Sequence, residues 1–453
     1  MDADSPKPSA EAVALPPRRA KNLFVTFGTN IGILGLTFAT GTLNARLLGP
    51  SGRGELAAIQ TLPSFLGMLA LLGLPSAVGY FSARRPAEAR AFTLTAAVVC
   101  FAASLPAILV GYHLMPWTLS SQPASVIRSA RIYLAFVALQ AIVMLPYMAL
   151  QGLGKFGIWN ILRLAPNVAA LISIVFAWST GAVRSDTVSR CFLVCYGLIA
   201  PLAYAALWSR SSRGSPSSHS HRIRELLRYG LPSAAMIPAG LLNLQLDQML
   251  LAAWLPSRLL GLYAVGVSWS GLISPVFGAL GSVVFPTLAA ATDADAQRYL
   301  VARSFRLAIL IVTILGLGLA GVTPILLPLF FGASFGPAVP SALVLVAAGM
   351  ILNLNNLCGE LLRGLGVPRW PLYSQLVALP VTISSLLLLL PRWSILGAGV
   401  SSLLAYATAG WVCVIGIKRT CGLTSRELLL PKWTDCLALW DLGRRAMNLQ
   451  QRR

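Results

Sequence analysis

The chain has 453 residues, 56% hydrophobic and only 11% charged, yet its 35 Lys and Arg against 14 Asp and Glu give a net charge of +21. A nucleic-acid binder of that charge spreads its cations over a polar surface, whereas a mean hydropathy of +0.74 describes a chain whose solvent is mostly lipid. Soluble nucleic-acid binding is excluded, and the basic surplus reads as an orientation signal.

Residues 1–21 are rich in Pro, Ala and Ser and carry Asp2, Asp4 and Glu11 without an apolar run. They are expected to form a disordered cytosolic tail, not a cleaved signal. A window of about 19 residues then finds twelve apolar stretches able to cross a hydrocarbon core of about 30 Å. In the first half they are Asn22–Ala45, Leu56–Ser82, Ala91–Met115, Ile132–Gln151, Ile161–Thr180 and Cys191–Trp208. In the second they are Tyr229–Leu255, Gly261–Leu288, Phe305–Phe330, Val339–Leu362, Leu372–Pro391 and Ile395–Ile417. The expectation is an all-α integral membrane protein with two six-helix lobes, 22–208 and 229–418. A Ser-rich cytosolic linker at 209–228 joins them, and a basic tail follows at 419–453, where Leu437, Trp440 and Arg444 could rest a helix on the inner leaflet.

These crossings segregate charge. The tails and every second loop carry 27 of the 35 basic residues, and the intervening loops carry 8. Both termini are therefore expected in the cytosol, with the basic loops against anionic membrane lipids.

Catalytic equipment is missing from this pattern. Gly152-Leu-Gly154-Lys-Phe-Gly157 has the spacing of a dinucleotide fingerprint but lacks the preceding strand and the acid about 20 residues on. Gly332-Ala-Ser334-Phe-Gly336 matches a nucleophile elbow, but no His follows it. Neither His219 and His221 nor Cys191 and Cys195 complete a metal set, and the seven cysteines form no disulfide framework. No enzyme activity, cofactor or metal is expected; transport is the default for twelve crossings joined by short loops.

The halves repeat. Ala149-Leu-Gln-Gly-Leu-Gly154 recurs as Leu361-Leu-Arg-Gly-Leu-Gly366, an offset of 212, and Gly54-Glu-Leu-Ala-Ala as Gly261-Leu-Tyr-Ala-Val, an offset of 207. Six crossings separate the copies, so the halves run in the same direction, related by an axis along the membrane normal. The Gly-Leu-Gly turns are expected to end helices through a left-handed glycine.

Ala45-Arg46-Leu-Leu-Gly49-Pro50-Ser-Gly52-Arg-Gly54, Gly73-Leu-Pro75, Leu150-Gln151-Gly152-Leu-Gly154, Tyr229-Gly-Leu-Pro232, Leu246-Asp247-Gln248, Leu260-Gly261-Leu-Tyr263, Phe285-Pro286 and Leu329-Phe-Phe331-Gly332 stand in an informative order. In these the chain resembles the polysaccharide-transport or O-antigen-type oligosaccharide flippases of the multidrug/oligosaccharidyl-lipid/polysaccharide exporter superfamily. The resemblance implies a V-shaped pair of lobes in the bacterial cytoplasmic (inner) membrane, moving a polyprenyl-pyrophosphate-linked oligosaccharide to the outer leaflet by alternating access, alongside polysaccharide-assembly proteins. A cation-coupled multidrug exporter of the same superfamily and a membrane polysaccharide polymerase or ligase are the alternatives.

A sugar headgroup crossing in a hydrated cavity needs polar stripes at helical spacing. Asn30, Thr37 and Asn44 recur every seven residues; Asn353, Asn356 and Glu360 are spaced three and four; Gln140 lies on the fourth crossing. Asn243 and Asp247 are four apart, and a carboxylate inside a membrane helix marks Asp247 for proton or sodium coupling, gating, or a structural hydrogen bond. Glu360 has Arg363 three residues on, the spacing of an ordinary ion pair. Arg46, Arg131 and Arg163 at helix ends are candidates to meet the pyrophosphate or to snorkel to the interface.

Overall fold

The computed structural model describes residues 17–211, 219–235, 237–291 and 293–430. Most of the expected N-terminal tail, the Ser-rich centre of the linker at 212–218, and the tail from 431 on, with Leu437, Trp440 and Arg444, lie outside the described residues. Every regular element among the described residues is helical, as a chain in lipid must be when its backbone polar groups have no water to turn to. Nine helical stretches among them are long and apolar enough to cross a membrane.

The N-terminal half forms α1 (Pro17–Ala70), α2 (Leu74–Arg84), α3 (Ala89–Thr118), α4 (Ala124–Tyr133), α5 (Ala135–Gly152), α6 (Phe156–Ser179) and α7 (Ser185–Arg210). The C-terminal half forms α8 (His219–Ala235), α9 (Ile237–Trp254), α10 (Ser257–Ser270), α11 (Ser274–Ala290), α12 (Ala294–Phe331), α13 (Val339–Gly364), α14 (Arg369–Cys421) and the short α15 (Ser425–Leu429). Helix α8 begins inside the stretch read as linker.

The two longest helices are hairpins. Thr37 and Gln60 would lie about 35 Å apart on a straight α1, yet both line one cavity of 180 Å³. The chain therefore doubles back at Gly49, whose φ of 66° suits glycine, and Pro50 opens the second arm with its φ already helical. In α14, Trp370 lies against Gly416, and Gly397 sits on the backbone of Leu389. That reversal falls at Ser394, held at a φ of 52°, a conformation that strains a non-glycine residue by about 1–2 kcal/mol.

Burial is inverted on the outer faces. Val98, Phe101, Leu105 and Leu109 form one stripe along α3, and Val194, Leu198 and Leu202 another along α7, with Leu202 67% exposed. Apolar faces of that extent are stable only against lipid. Inside, α3, α4, α5, α6 and α7 gather around α1, with α2 against α3 and α5, and α9 to α12 gather around α13 and α14. One buried core runs from Ala45 in the first bundle to Ala398 in the second.

The repeated glycines occupy equivalent places. After α5, Lys155 N–H donates to Leu150 C=O (2.9 Å) and Gly154 has a φ of 69°; after α13, Val367 N–H donates to Leu362 C=O (2.9 Å) and Gly366 has a φ of 76°. Both are left-handed helix ends that satisfy carbonyls the helix leaves over. Gly152 packs on Gly79 and Ser82 of α2, and Gly364 on Phe285 and Leu288 of α11. Space around Gly154 and Gly366 is open, so alanine there adds only backbone strain. Gly154→Ala and Gly366→Ala are each expected to lower stability by about 1–2 kcal/mol, while Gly157→Ala, also in open space but at ordinary φ, does not. Thermal unfolding in detergent checks this, and three equal midpoints would contradict the assignment.

Candidate transport site between the two helix bundles

The bundles meet most closely where the second arm of α1 crosses α10. A methyl group on Gly54 would collide with Ser257 C=O, and one on Gly261 would collide with Pro50 C=O. Residues 50 and 257, like 54 and 261, are 207 apart, so the contact is reciprocal and follows the internal repeat.

Around it, side chains of the first bundle satisfy helix-end carbonyls of the second. Arg46 Nε donates to Phe330 C=O (2.7 Å) and its Nη2 to Leu329 C=O, capping α12. Ser120 and Ser121 donate to Ala253 C=O (2.8 and 2.7 Å), and Gln122 Nε2 donates to Ala252 and Leu255 C=O (2.8 and 2.9 Å), capping α9. Ser257 Oγ donates back to Gln122 Oε1 (2.6 Å). A guanidinium at a helix C-terminus also meets the negative end of the helix dipole.

Towards the other end of the bundles α8 lies on α2 and α3. Arg85 Nη2 pairs with Glu225 Oε2 at 2.8 Å, the rings of Tyr80 and Tyr229 stack at 4.5 Å, and Gly73 meets the backbone of Gly230.

Between these two contacts lie adjoining compartments of 230 and 180 Å³ that share Arg53, Gln60 and Ser268. Thr61, Ser64, Gln245 and Gln248 complete the polar lining of the larger, and Thr37, Thr40, Asn44, Asn167 and Ser173 that of the smaller. Arg53 is the only charged residue lining either compartment among the described residues. Its Nε is buried without a hydrogen-bond partner, as are Asn44 Oδ1, Thr40 Oγ1 and Gln245 Oε1. Unpaired buried polar groups are costly; gathered around a cavity, they mark where a ligand would complete them.

The structure separates the residues singled out by sequence into groups. Thr37, which donates to Asn167 Oδ1 (2.9 Å), and Asn44 line the smaller compartment. Asn30 accepts from Arg163 Nη2 (3.0 Å), and that guanidinium also lies 4.6 Å from the Trp159 ring centre. Arg131 lies 4.1 Å from the Tyr112 ring centre, and Arg46 is engaged in the α12 cap. Gln140 packs on Gly67 inside the first bundle. On α13, Asn353 is buried and donates to Gly349 C=O (2.8 Å), Asn356 is exposed, and Glu360 pairs with Arg363 at 2.7 Å.

Asn243 and Asp247 point into the second bundle, away from both compartments. Asn243 Nδ2 donates to Gln375 Oε1 (2.8 Å), and its Oδ1 accepts from Thr382 Oγ1 (2.9 Å). The Asp247 carboxylate accepts from Tyr263 Oη, from Gln248 N–H (2.7 Å) and from Ser402 Oγ (3.3 Å). It has no cation partner among the described residues, and α9, α10 and both arms of α14 converge on this network.

Sequence reasoning missed Arg53, Gln60, Gln245 and Gln248. Arg53 falls in the loop before the expected second crossing at Leu56, whereas the helical arm begins at Pro50 and places Arg53 about one turn into it. The signal that could have found it is its flanking by Gly52 and Gly54, which lets a neighbouring helix come close on that turn.

Residues 20–292 match the family described as polysaccharide biosynthesis protein. No curated protein matches the chain. Among solved structures it is similar to the lipid II flippase MurJ in an inward closed conformation (TM-score 0.70, 13% identity, 88% of this chain and 87% of that one). It is also similar to an inward-facing multidrug resistance MATE family transporter of the MOP superfamily (TM-score 0.65, 15% identity, 87% and 98%). A third is the eukaryotic MATE transporter AtDTX14 (TM-score 0.60, 18% identity, 89% and 98%). At these identities the likeness establishes the fold.

The Asp247 network yields a stability prediction. Asp247→Asn keeps an acceptor for Tyr263 Oη, whereas Asp247→Leu strands that buried hydroxyl and is expected to cost about 1–3 kcal/mol more. Midpoints of thermal unfolding compare the two; a leucine variant as stable as the asparagine one would contradict the network.

Proposed function

This chain belongs to the polysaccharide biosynthesis protein family, a multi-pass transporter of the flippase and exporter fold, and we propose that it flips a polyprenyl-pyrophosphate-linked oligosaccharide from the inner to the outer leaflet. The observation that carries this reading is Arg53, half-buried, whose Nε is buried without a hydrogen-bond partner among the described residues and which faces a polar cavity between the bundles. A guanidinium matches phosphate oxygens by paired N–H donors, and the surrounding amides and hydroxyls suit a sugar. The polyprenyl chain stays in lipid.

In this reading the two bundles are the six-helix lobes 22–208 and 229–418, twelve helices cross the membrane, and both termini are cytosolic, with 27 of 35 basic residues on that side. The Gly54–Gly261 contact then closes the outer face, and α8 on α2 and α3 lies towards the inner one. Arg46 and Arg163 are hydrogen-bonded to protein groups and Arg131 lies over the Tyr112 ring, and none of the three lines either compartment, which leaves Arg53 as the guanidinium placed to take the pyrophosphate. A longer glycan needs the bundles to part, because the compartments are small.

Helix α9 links substrate to driving force. Gln245 and Gln248 line the larger compartment while Asn243 and Asp247 face the interior network. Uptake of a proton or sodium ion by the Asp247 carboxylate would bias the position of the same helix that touches the sugar. A drug exporter of the same fold is less well supported, since a cationic drug would meet Arg53 and no carboxylate among the described lining residues.

Cells lacking the protein are expected to accumulate a lipid-linked oligosaccharide in the inner leaflet. Normal sidedness with failed elongation or attachment would instead indicate a polymerase or ligase. Arg53→Gln is expected to lower flipping by at least about tenfold, as the loss of a charge-assisted hydrogen bond implies, with the unfolding midpoint unchanged. Asp247→Asn is expected to abolish the dependence of transport on an imposed proton or sodium gradient; transport with unchanged gradient dependence would remove the coupling role.

A further inference from the structure

The flippase reading leaves open what kind of sugar the cavity accepts, and the lining addresses it. Arg53 is the single charged group among the described residues of the two compartments, and the phosphate of a lipid carrier would engage it. No second cation lines the compartments among the described residues to meet a carboxylate on the glycan. The other groups are Gln, Asn, Ser and Thr, and Asn44 Oδ1 and Gln245 Oε1 are buried carbonyl oxygens that lack a donor. Such oxygens are completed by sugar hydroxyl or acetamido N–H groups. A carboxylate offers them only further acceptors, and its own charge would be buried without compensation.

Resting on that reading, we propose that the transported glycan is uncharged where it occupies these compartments: a chain of neutral or N-acetylated sugars carried on a pyrophosphate whose charge Arg53 meets. Selectivity against uronic acids then comes from the missing second cation. Placing one there should relax it, and Gln248, on the side of the larger compartment formed by the second bundle, is the position to test.

The full-length protein is reconstituted in vesicles of phosphatidylethanolamine and phosphatidylglycerol. Two synthetic polyprenyl-pyrophosphate disaccharides are supplied, identical except that the second sugar is a hexose in one and a hexuronate in the other. Transbilayer movement is followed by loss of a fluorescent label to an impermeant quencher. The neutral substrate is expected to move at least about tenfold faster, the ratio that about 1.4 kcal/mol supplies, and Gln248→Arg is expected to narrow that ratio by speeding the acidic substrate. Movement of both substrates at equal rates, or faster movement of the acidic one, overturns the selectivity while leaving the flippase reading intact. Movement of neither overturns the flippase reading and this inference with it. The wild-type ratio decides the matter even where the arginine variant does not fold.

Discussion

The reciprocal approach of Gly54 and Gly261 is the contact on which the placement of the two bundles depends. In lipid, helices gain little from burying apolar surface against each other, so association rests on close packing of small residues and on weak or strong hydrogen bonds. Here each glycine lies on the carbonyl of the residue four before its counterpart, which brings backbone to backbone across a pseudo-twofold axis. The contact has no long side chains to disentangle. It can therefore be tight when made and cheap to release, which under the proposed function would suit a joint between the two bundles better than a salt bridge.

What surrounds that joint follows from the unsatisfied ends of helices. The last carbonyls of α9 and α12 have no partner in their own helices, and near an apolar medium they need one. Gln122, Ser120, Ser121 and Arg46, all from the first bundle, supply it. Separation of the bundles there would expose these carbonyls to water, which can replace the lost donors, so opening is affordable only where water is present. Towards the other end the contact is of a different kind: Tyr80 stacked on Tyr229 and Arg85 paired with Glu225. Arg85 also lies 5.1 Å and 4.7 Å from the ring centres of Phe81 and Phe92, so its charge is held even when Glu225 moves away.

The legible part of this molecule was the part governed by the lipid and by repetition. Apolar runs of helical length announce themselves, and the Gly-Leu-Gly turns carried their geometry openly, since a left-handed residue after a helix selects glycine whatever lies around it. The candidate site was legible only in part. Of the heptad Asn30, Thr37 and Asn44, one stripe on a helix, the last two line the smaller compartment, while Asn30, a further two turns back, meets Arg163. Asn243 and Asp247 share a face by the same rule, but spacing does not say whether that face looks into a cavity or into a bundle. Their neighbours Gln245 and Gln248, three apart and so on one face, do reach the cavity. Arg53 lies just ahead of the apolar run that marks the second crossing, in a stretch that reads as loop, where an arginine needs no explanation.

In the proposed cycle the two faces of α9 separate the substrate from the driving force. A ligand shifts a conformational equilibrium only by its difference in affinity between the two states. Substrate and product are the same molecule on opposite sides, so the substrate alone supplies no net bias. In the proposed cycle the bias comes from the far face, where the Asp247 carboxylate accepts three donors and has no cation partner among the described residues. In that cycle, occupation of that face would alter the contacts that Asn243 and Asp247 make with α10 and with both arms of α14, and Gln245 and Gln248 stand on the same helix. A single rigid helix thus reports one site to the other, without any chain of intermediates across the bundle.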